Sequence, residues 1–165
     1  MDEPRWLDER EGRAWRNFLA IGGMLDRLVE QQLKEDAGLT HAQYAVLVWL
    51  SEAPGGEVRM TELAGRAVIS KSGLTYQVGQ LEKAGLVRRR SCESDVRGII
   101  AALTDAGWAK LRETAPGHAA RVREVFVDGL DHDRFANLAD SLEVLAAHLR
   151  AVGGSSTRSG GSNSN

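Results

Sequence analysis

Apolar residues recur at helical spacing through most of this chain. Phe18, Ile21, Leu25 and Leu28 lie three or four apart and share one face of a first helix, from about Asp8 to Asp36. Gly38 follows where a left-handed residue stops a helix. Thr40 and Gln43 make a capping box for a second helix, His41 to Ala53. The run Tyr44 to Leu50 is apolar enough for a strand, but the cap and the length favour a helix buried almost all round. Pro54, Gly55 and Gly56 end it.

Val58 to Met60 reads as a short extended piece, and Thr61 as the cap of a short helix, Glu62 to Arg66. A tight connection at 67–69 leads to Ser70, the cap of a fourth helix that runs to about Ala84 and stops at Gly85. Leu74, Val78 and Leu81 are its apolar face. Two strands, Leu86 to Ser91 and Gly98 to Leu103, flank a polar turn from Cys92 to Arg97 and predict a hairpin with a long tip. Thr104 starts a fifth helix, with Trp108, Leu111, Ala115, His118, Val122 and Val125 on one face. Pro116 predicts a kink or a break there. Leu130, Asp131 and Phe135 suit a staple around an N-cap. The last helix then reaches about Val152, with the stripe Phe135, Leu138, Leu142, Leu145 and Leu149. Residues 153–165 are rich in Gly, Ser and Asn, carry no apolar residue, and are expected to be a disordered tail.

The predicted fold is therefore mainly α, an α+β winged helix of six helices with a two- to three-stranded antiparallel wing. The expected divisions are an N-terminal helix over 1–39, a lobe of short helices and a hairpin over 40–103, C-terminal helices over 104–152, and the tail over 153–165. The terminal stripes, with Phe18, Leu25 and Leu28 beside those of the last helix, offer more apolar surface than a lone small domain hides, and large exposed patches mark association.

Composition changes this picture little. The 165 residues are 42% hydrophobic and 27% charged, ordinary for a soluble globular domain. No apolar run approaches the roughly 18 residues that a membrane span needs. The charged first residues lack a signal core, and the one cysteine suits a reducing compartment, so a cytoplasmic location is expected and no membrane contact. A net charge of -2 does not favour nucleic acid, so such binding needs a local patch. One exists: between Lys83 and Arg97 the cations Lys83, Arg88, Arg89, Arg90 and Arg97 outnumber Glu93 and Asp95 by five to two.

The order helix, short helix, tight turn, helix, hairpin is a helix-turn-helix with a wing. Its second helix, from Ser70, presents Lys71, Ser72, Thr75, Tyr76 and Gln80, compact donors and acceptors that suit base edges and phosphates in a major groove. Strand alternation sets Arg88 and Arg90 on one face and Arg89 on the other. Arg97, at the wing tip, is placed to enter a minor groove, with Asp95 to orient its guanidinium.

The stretches Ser70-Lys71-Ser72-Gly73-Leu74-Thr75, Leu81-Glu82-Lys83-Ala84-Gly85-Leu86-Val87, Asp95-Val96-Arg97-Gly98 and Leu103-Thr104-Asp105-Ala106-Gly107 come in order and at matching spacing. In them the chain resembles the MarR family of regulators, over about Ala14 to Ala151. The resemblance implies a homodimer whose first, fifth and sixth helices interlock and whose two wings grip a pseudo-palindromic duplex, with Asp95 and Arg97 as the wing-tip pair. Tyr76 and Gln80 stand where members of that family often carry Arg. The resemblance also implies a possible small aromatic effector between the dimerisation helices and the DNA-binding lobe, a place that Trp15, His41 and Tyr44 could line.

Other classes fare worse. No nucleophile elbow, P-loop or dinucleotide fingerprint occurs, so an enzyme is not expected, nor a cofactor. His41, His118, His132 and His148 are dispersed, with no i, i+4 pair for a metal. Cys92 reads as an incidental wing residue. A winged-helix module that binds protein without DNA remains the alternative, against which the basic hairpin argues.

Overall fold

The computed structural model describes residues 4–66, 70–92 and 95–156, with side chains throughout except at 66, 95–97 and 154–156. The chain divides into two compact units, Met1–Val122 and Arg123–Asn165.

In the first unit, α1 (Glu9–Ala37) opens on a capping box in which Asp8 and Glu11 satisfy each other's backbone N–H. It closes at Gly38, where φ of 66° lets the N–H groups of Gly38 and Leu39 return to Lys34 and Leu33. The expected box of Thr40 and Gln43 opens α2 (His41–Ser51), whose Tyr44, Val46, Leu47 and Leu50 are buried. This helix stops two residues before Ala53. A 3-10 turn at Pro54–Gly56 takes over, with both glycines at φ of 70°.

A short strand, β1 (Glu57–Arg59), runs directly into α3 (Met60–Arg66). Thr61 therefore lies inside the first turn of α3 and does not cap it. The connection expected at 67–69 lies outside the described residues. Ser70 caps α4 (Lys71–Lys83) by accepting from the Gly73 N–H at 3.1 Å, and Gly85, at φ of 74°, turns the chain out.

The hairpin strands are β2 (Val87–Cys92) and β3 (Asp95–Leu103), in an antiparallel sheet of order β1-β3-β2. The ladder continues to Cys92 opposite Asp95, with a shift of register after Ser91, so the polar turn expected from Cys92 to Arg97 is mostly strand. Cys92 is buried and its Sγ accepts from Arg59 Nη2 at 3.2 Å, which favours pairing over a solvated turn there.

Helix α5 (Asp105–Val122) is capped by Thr104, which accepts from the Gly107 N–H at 3.0 Å. Gly107 sits so close to Leu86, just before β2, that a Cβ would clash with the Leu86 carbonyl oxygen. Of the kink or break that the sequence predicts at Pro116, the break does not occur, and the helix continues through it. Proline removes one hydrogen bond. Before it Trp108 and Leu111 pack against the core, and after it His118 lies 4.5 Å from Tyr44, ring centre to ring centre. Those contacts hold the turns on both sides. The core is centred on Leu33, Leu47, Leu50, Leu63, Leu74, Val78 and Leu81 of α1 to α4, with Val58, Val87, Ala101 and Leu103 of the sheet packed into it.

The second unit holds a π-helical turn, Arg123–Val127, and α6 (His132–Ser156). Asp131 caps α6 through the Arg134 N–H at 2.9 Å, and Phe126 meets Phe135 edge-on at 5.7 Å. The helix extends past Val152 through Gly153 to Ser156, so the first residues of the expected tail are helical; 157–165 lie outside the described residues. No helix of the described residues is long and apolar enough to cross a membrane.

Candidate nucleic-acid interface

Helix α4 turns Leu74, Val78 and Leu81 into the core. At about 100° per residue the opposite face carries Ser72, Tyr76, Gly79 and Lys83. Of the side chains expected at DNA, Lys71, Ser72, Thr75 and Tyr76 are exposed and Gln80 is half-buried. Two of the hydroxyls already have local work. Ser70 Oγ is the helix cap and lies 3.1 Å from Ser72 Oγ. Thr75 Oγ1 donates to the Lys71 carbonyl at 2.9 Å and keeps its lone pairs for an incoming donor.

The wing sheet has two faces. Val58, Val87, Ala101 and Leu103 are buried on one, and that face also carries Arg89. Arg89 reaches back to Glu82 of α4, its backbone N–H donating to Oε1 at 3.0 Å and its Nε to Oε2 at 2.9 Å. These bonds hold the Glu82 carboxyl below the usual carboxylate range. The other face carries Glu57, Arg59, Arg88 and Arg90, because the register sets Arg88 and Glu57 opposite Ala102, and Arg90 and Arg59 opposite Ile100. Arg90 donates to Glu57 at 2.7 Å across β3. Arg88 is exposed, and among the described residues it has no ion-pair partner, nor do Lys71 and Lys83. The Asp95 and Arg97 side chains lie outside the described residues.

Glu57 and Glu82 are the members that the sequence did not reveal. Glu82 stands just before the helix stop that folds β2 back along α4, a proximity the turn at Gly85 implies. Glu57 meets Arg90 only because β1 pairs through β3, and no local pattern announces that.

The residues expected at an effector site are not brought together. His41 lies with Nδ1 3.0 Å from Asp26 Oδ1 of α1, and its backbone N–H donates to Glu30. Burial pushes the Glu30 carboxyl up, but that bond and the Lys34 ammonium outweigh it and hold it low. Tyr44 is buried, which pushes its phenol up, and it packs on His118. Trp15 is exposed and stacks with Phe18 at 6.4 Å. It precedes Asp26 by eleven residues on one continuous helix, about 16 Å along the axis at 1.5 Å per residue. His41 and Tyr44 thus belong to one neighbourhood and Trp15 to another. Among the described residues no group of three His, Cys, Asp or Glu is placed to hold a metal.

The stripes expected at a dimer interface are open. Phe18 is 50% exposed, and Leu25 and Leu28 are half-buried. On α6, Phe135, Leu138 and Leu142 are half-buried while Leu145 and Leu149 are exposed, and no described side chain of this helix is fully buried. Phe126, Phe135, Ala139, Leu142 and Ala146 line an open groove of about 660 Å³.

A model described as the MarR family matches residues 37–98, which hold α2 to β2 and the start of β3. The Streptomyces coelicolor MarR-family regulator Sco3205, whose structure was solved in complex with DNA, is 43% identical over 90% of this chain and 93% of its own, with a TM-score of 0.84. The chain belongs to the MarR family of transcriptional regulators. It is accordingly a regulator and not an enzyme. AbsC, another MarR-family regulator of the same organism, is 42% identical over 90% of this chain and 99% of its own, with a TM-score of 0.83. The Bacillus subtilis repressor YetL is 31% identical over 97 residues, which span 59% of this chain and 58% of that protein. The likeness to Sco3205 and AbsC extends over both the winged lobe and the terminal helices, the parts that the sequence resemblance joined.

Proposed function

We propose that this MarR-family chain binds a pseudo-palindromic duplex as a homodimer in the cytoplasm, with α4 in the major groove and the wing on the flanking minor groove. The observation that carries the reading is the polar outward face of α4, tied to the basic wing by Arg89 and Glu82, with the exposed cations Lys71, Lys83 and Arg88, which have no ion-pair partner among the described residues. Ser70, Ser72, Thr75 and Gln80 add hydrogen-bonding groups, and Arg90 joins them by exchanging Glu57 for a phosphate. Arg97 is the minor-groove cation, with Asp95 as its orienting partner. That Sco3205 was solved with DNA supports the same use of this fold. Homodimerisation draws its support from α6, whose apolar stripe Phe135, Leu138, Leu142, Leu145 and Leu149 includes no fully buried side chain among the described residues. Selection from a pool of random duplexes tests the reading. An enriched inverted repeat supports it, and Arg97→Ala should then weaken binding by roughly 1–3 kcal/mol. No retention on heparin at low salt and no enriched sequence would favour a protein-binding module instead.

We further assign release by a small aromatic ligand to the junction of His41, Tyr44 and His118, without Trp15. Linkage is reciprocal, so an effector must bind free protein and operator complex with affinities that differ by the same factor it exerts on DNA. Titration of candidate aromatic acids with and without operator measures that factor, and equal affinities exclude the acid tested.

A further inference from the structure

We propose that Tyr76 reads a thymine by its C5-methyl group and that Gly79 is the notch that lets the ring reach it; this rests on the DNA-binding reading above. Two departures from an economical helix coincide on the outward face of α4. Tyr76 is 63% exposed, and no ring contact or hydrogen bond within the described residues uses it. Three residues on, Gly79 stands in the helix interior, where glycine is less stable than alanine by about 1 kcal/mol. Neither its conformation nor packing demands glycine: the backbone is helical there and an added Cβ would meet nothing within 4 Å. Residues three apart are neighbours on a helix surface. The missing methyl therefore leaves bare backbone one turn beyond Tyr76, on the side that faces away from the core.

A partner pressed against that face gains from both features. Without a Cβ at Gly79 the helix can sit deeper in a groove, and the ring can lie against the groove floor. The chemistry of the helix narrows what it meets. From Lys71 to Lys83 there is no Arg, the usual bidentate reader of guanine, and the one Gln that lies beside this stripe, Gln80, is half-buried. The thymine methyl is the apolar feature of the major groove, and an aromatic ring is its natural contact. Ser72 and Lys83 flank the pair along the same stripe and supply polar contacts to the neighbouring base and backbone.

The test uses the full chain and the duplex enriched from a random pool. Thymines in each half-site are replaced one at a time by deoxyuracil, which removes only the methyl. One position per half-site should lower wild-type affinity roughly fourfold, the equivalent of one buried methyl group. Tyr76→Ala should lose that sensitivity and Tyr76→Phe should keep it. Gly79→Ala should raise the melting temperature while lowering affinity for the same duplex. An operator with no thymine in its half-sites, no uracil effect, an effect that survives in Tyr76→Ala, or a Gly79→Ala variant that binds like wild type each overturns the proposal. If those results come while Arg97→Ala still weakens binding, the Tyr76 assignment alone has failed; if the wild type enriches nothing, the DNA-binding reading has failed first.

Discussion

Arg89 and Glu82 join the wing to α4 by three bonds, one from the backbone N–H to Oε1 at 3.0 Å and two from the guanidinium, Nε and Nη2, to Oε2 at 2.9 and 2.5 Å. Arg88, the next residue back, points to the opposite face and has no ion-pair partner among the described residues. Adjacent arginines on a strand thus do different work. One fixes the angle of the wing and the other offers its charge outward.

Salt dependence separates them. Each phosphate contact contributes about 0.9 to the slope of log affinity against log salt. Arg88→Ala should flatten that slope by roughly this amount per subunit. Arg89→Ala should weaken binding by loosening the wing and leave the slope unchanged. Fluorescence anisotropy between about 50 and 200 mM salt reads both. A flattened slope for Arg89→Ala with none for Arg88→Ala would reverse the assignment.

His118 makes stability depend on pH. Its Nδ1 lies 3.2 Å from Gln32 Oε1, and the Gln32 amide nitrogen donates to Asp36, so the imidazole Nδ1 carries the proton. Burial, and then the nearby His41, push its pKa below the ordinary 6.5. At pH 7.5 the ring is neutral in the folded and unfolded chain alike. As pH falls below 6.5 the unfolded chain takes up a proton that the folded chain resists, so stability drops through that window. Glu30 and Glu82, both held low, stay ionised there. His118→Asn keeps a donor for Gln32 and should cost about 1 kcal/mol at every pH through the lost ring contact with Tyr44. Urea denaturation at pH 7.5 and 5.5 should show a larger acid loss for wild type than for this variant; equal losses would remove His118 as the cause.

Leu142→Asp places a carboxylate in the α6 groove beside Phe126 and Phe135. If a second copy covers that groove, the change leaves a buried unpaired charge worth several kcal/mol, enough to dissociate or unfold the dimer. Light scattering should report monomer or loss of folded protein. A stable dimer of unchanged mass would move the interface elsewhere.

The local elements were legible because their signals are local. Thr40 with Gln43, Ser70 with Gly73, and Gly38 and Gly85 at left-handed φ each act within one turn of chain. What the sequence misjudged depended on residues far apart. Pro116 suggested a kink or a break, and the break does not occur: Trp108, Leu111 and His118 pack on both sides of it. Cys92 to Arg97 suggested an open turn, yet Arg59, thirty-three residues from Cys92, draws it into the sheet. In the candidate site, α4 could be read by its 3.6-residue period. The charge balance of the wing could not, because Glu57 reaches Arg90 only through the sheet. His41 and Tyr44 share a neighbourhood, while Trp15, of the same aromatic character, lies farther along α1.

Footprinting of the full chain on its enriched duplex tests the central claim most directly. Two copies of α4 that meet one face of B-DNA must protect two half-sites roughly 10 bp apart, in inverted orientation, with cleavage also suppressed in the flanking minor grooves where the wings lie. That pattern is the expected result. Protection of a single half-site by a monomer, or no protection at concentrations that enriched the duplex, would contradict it.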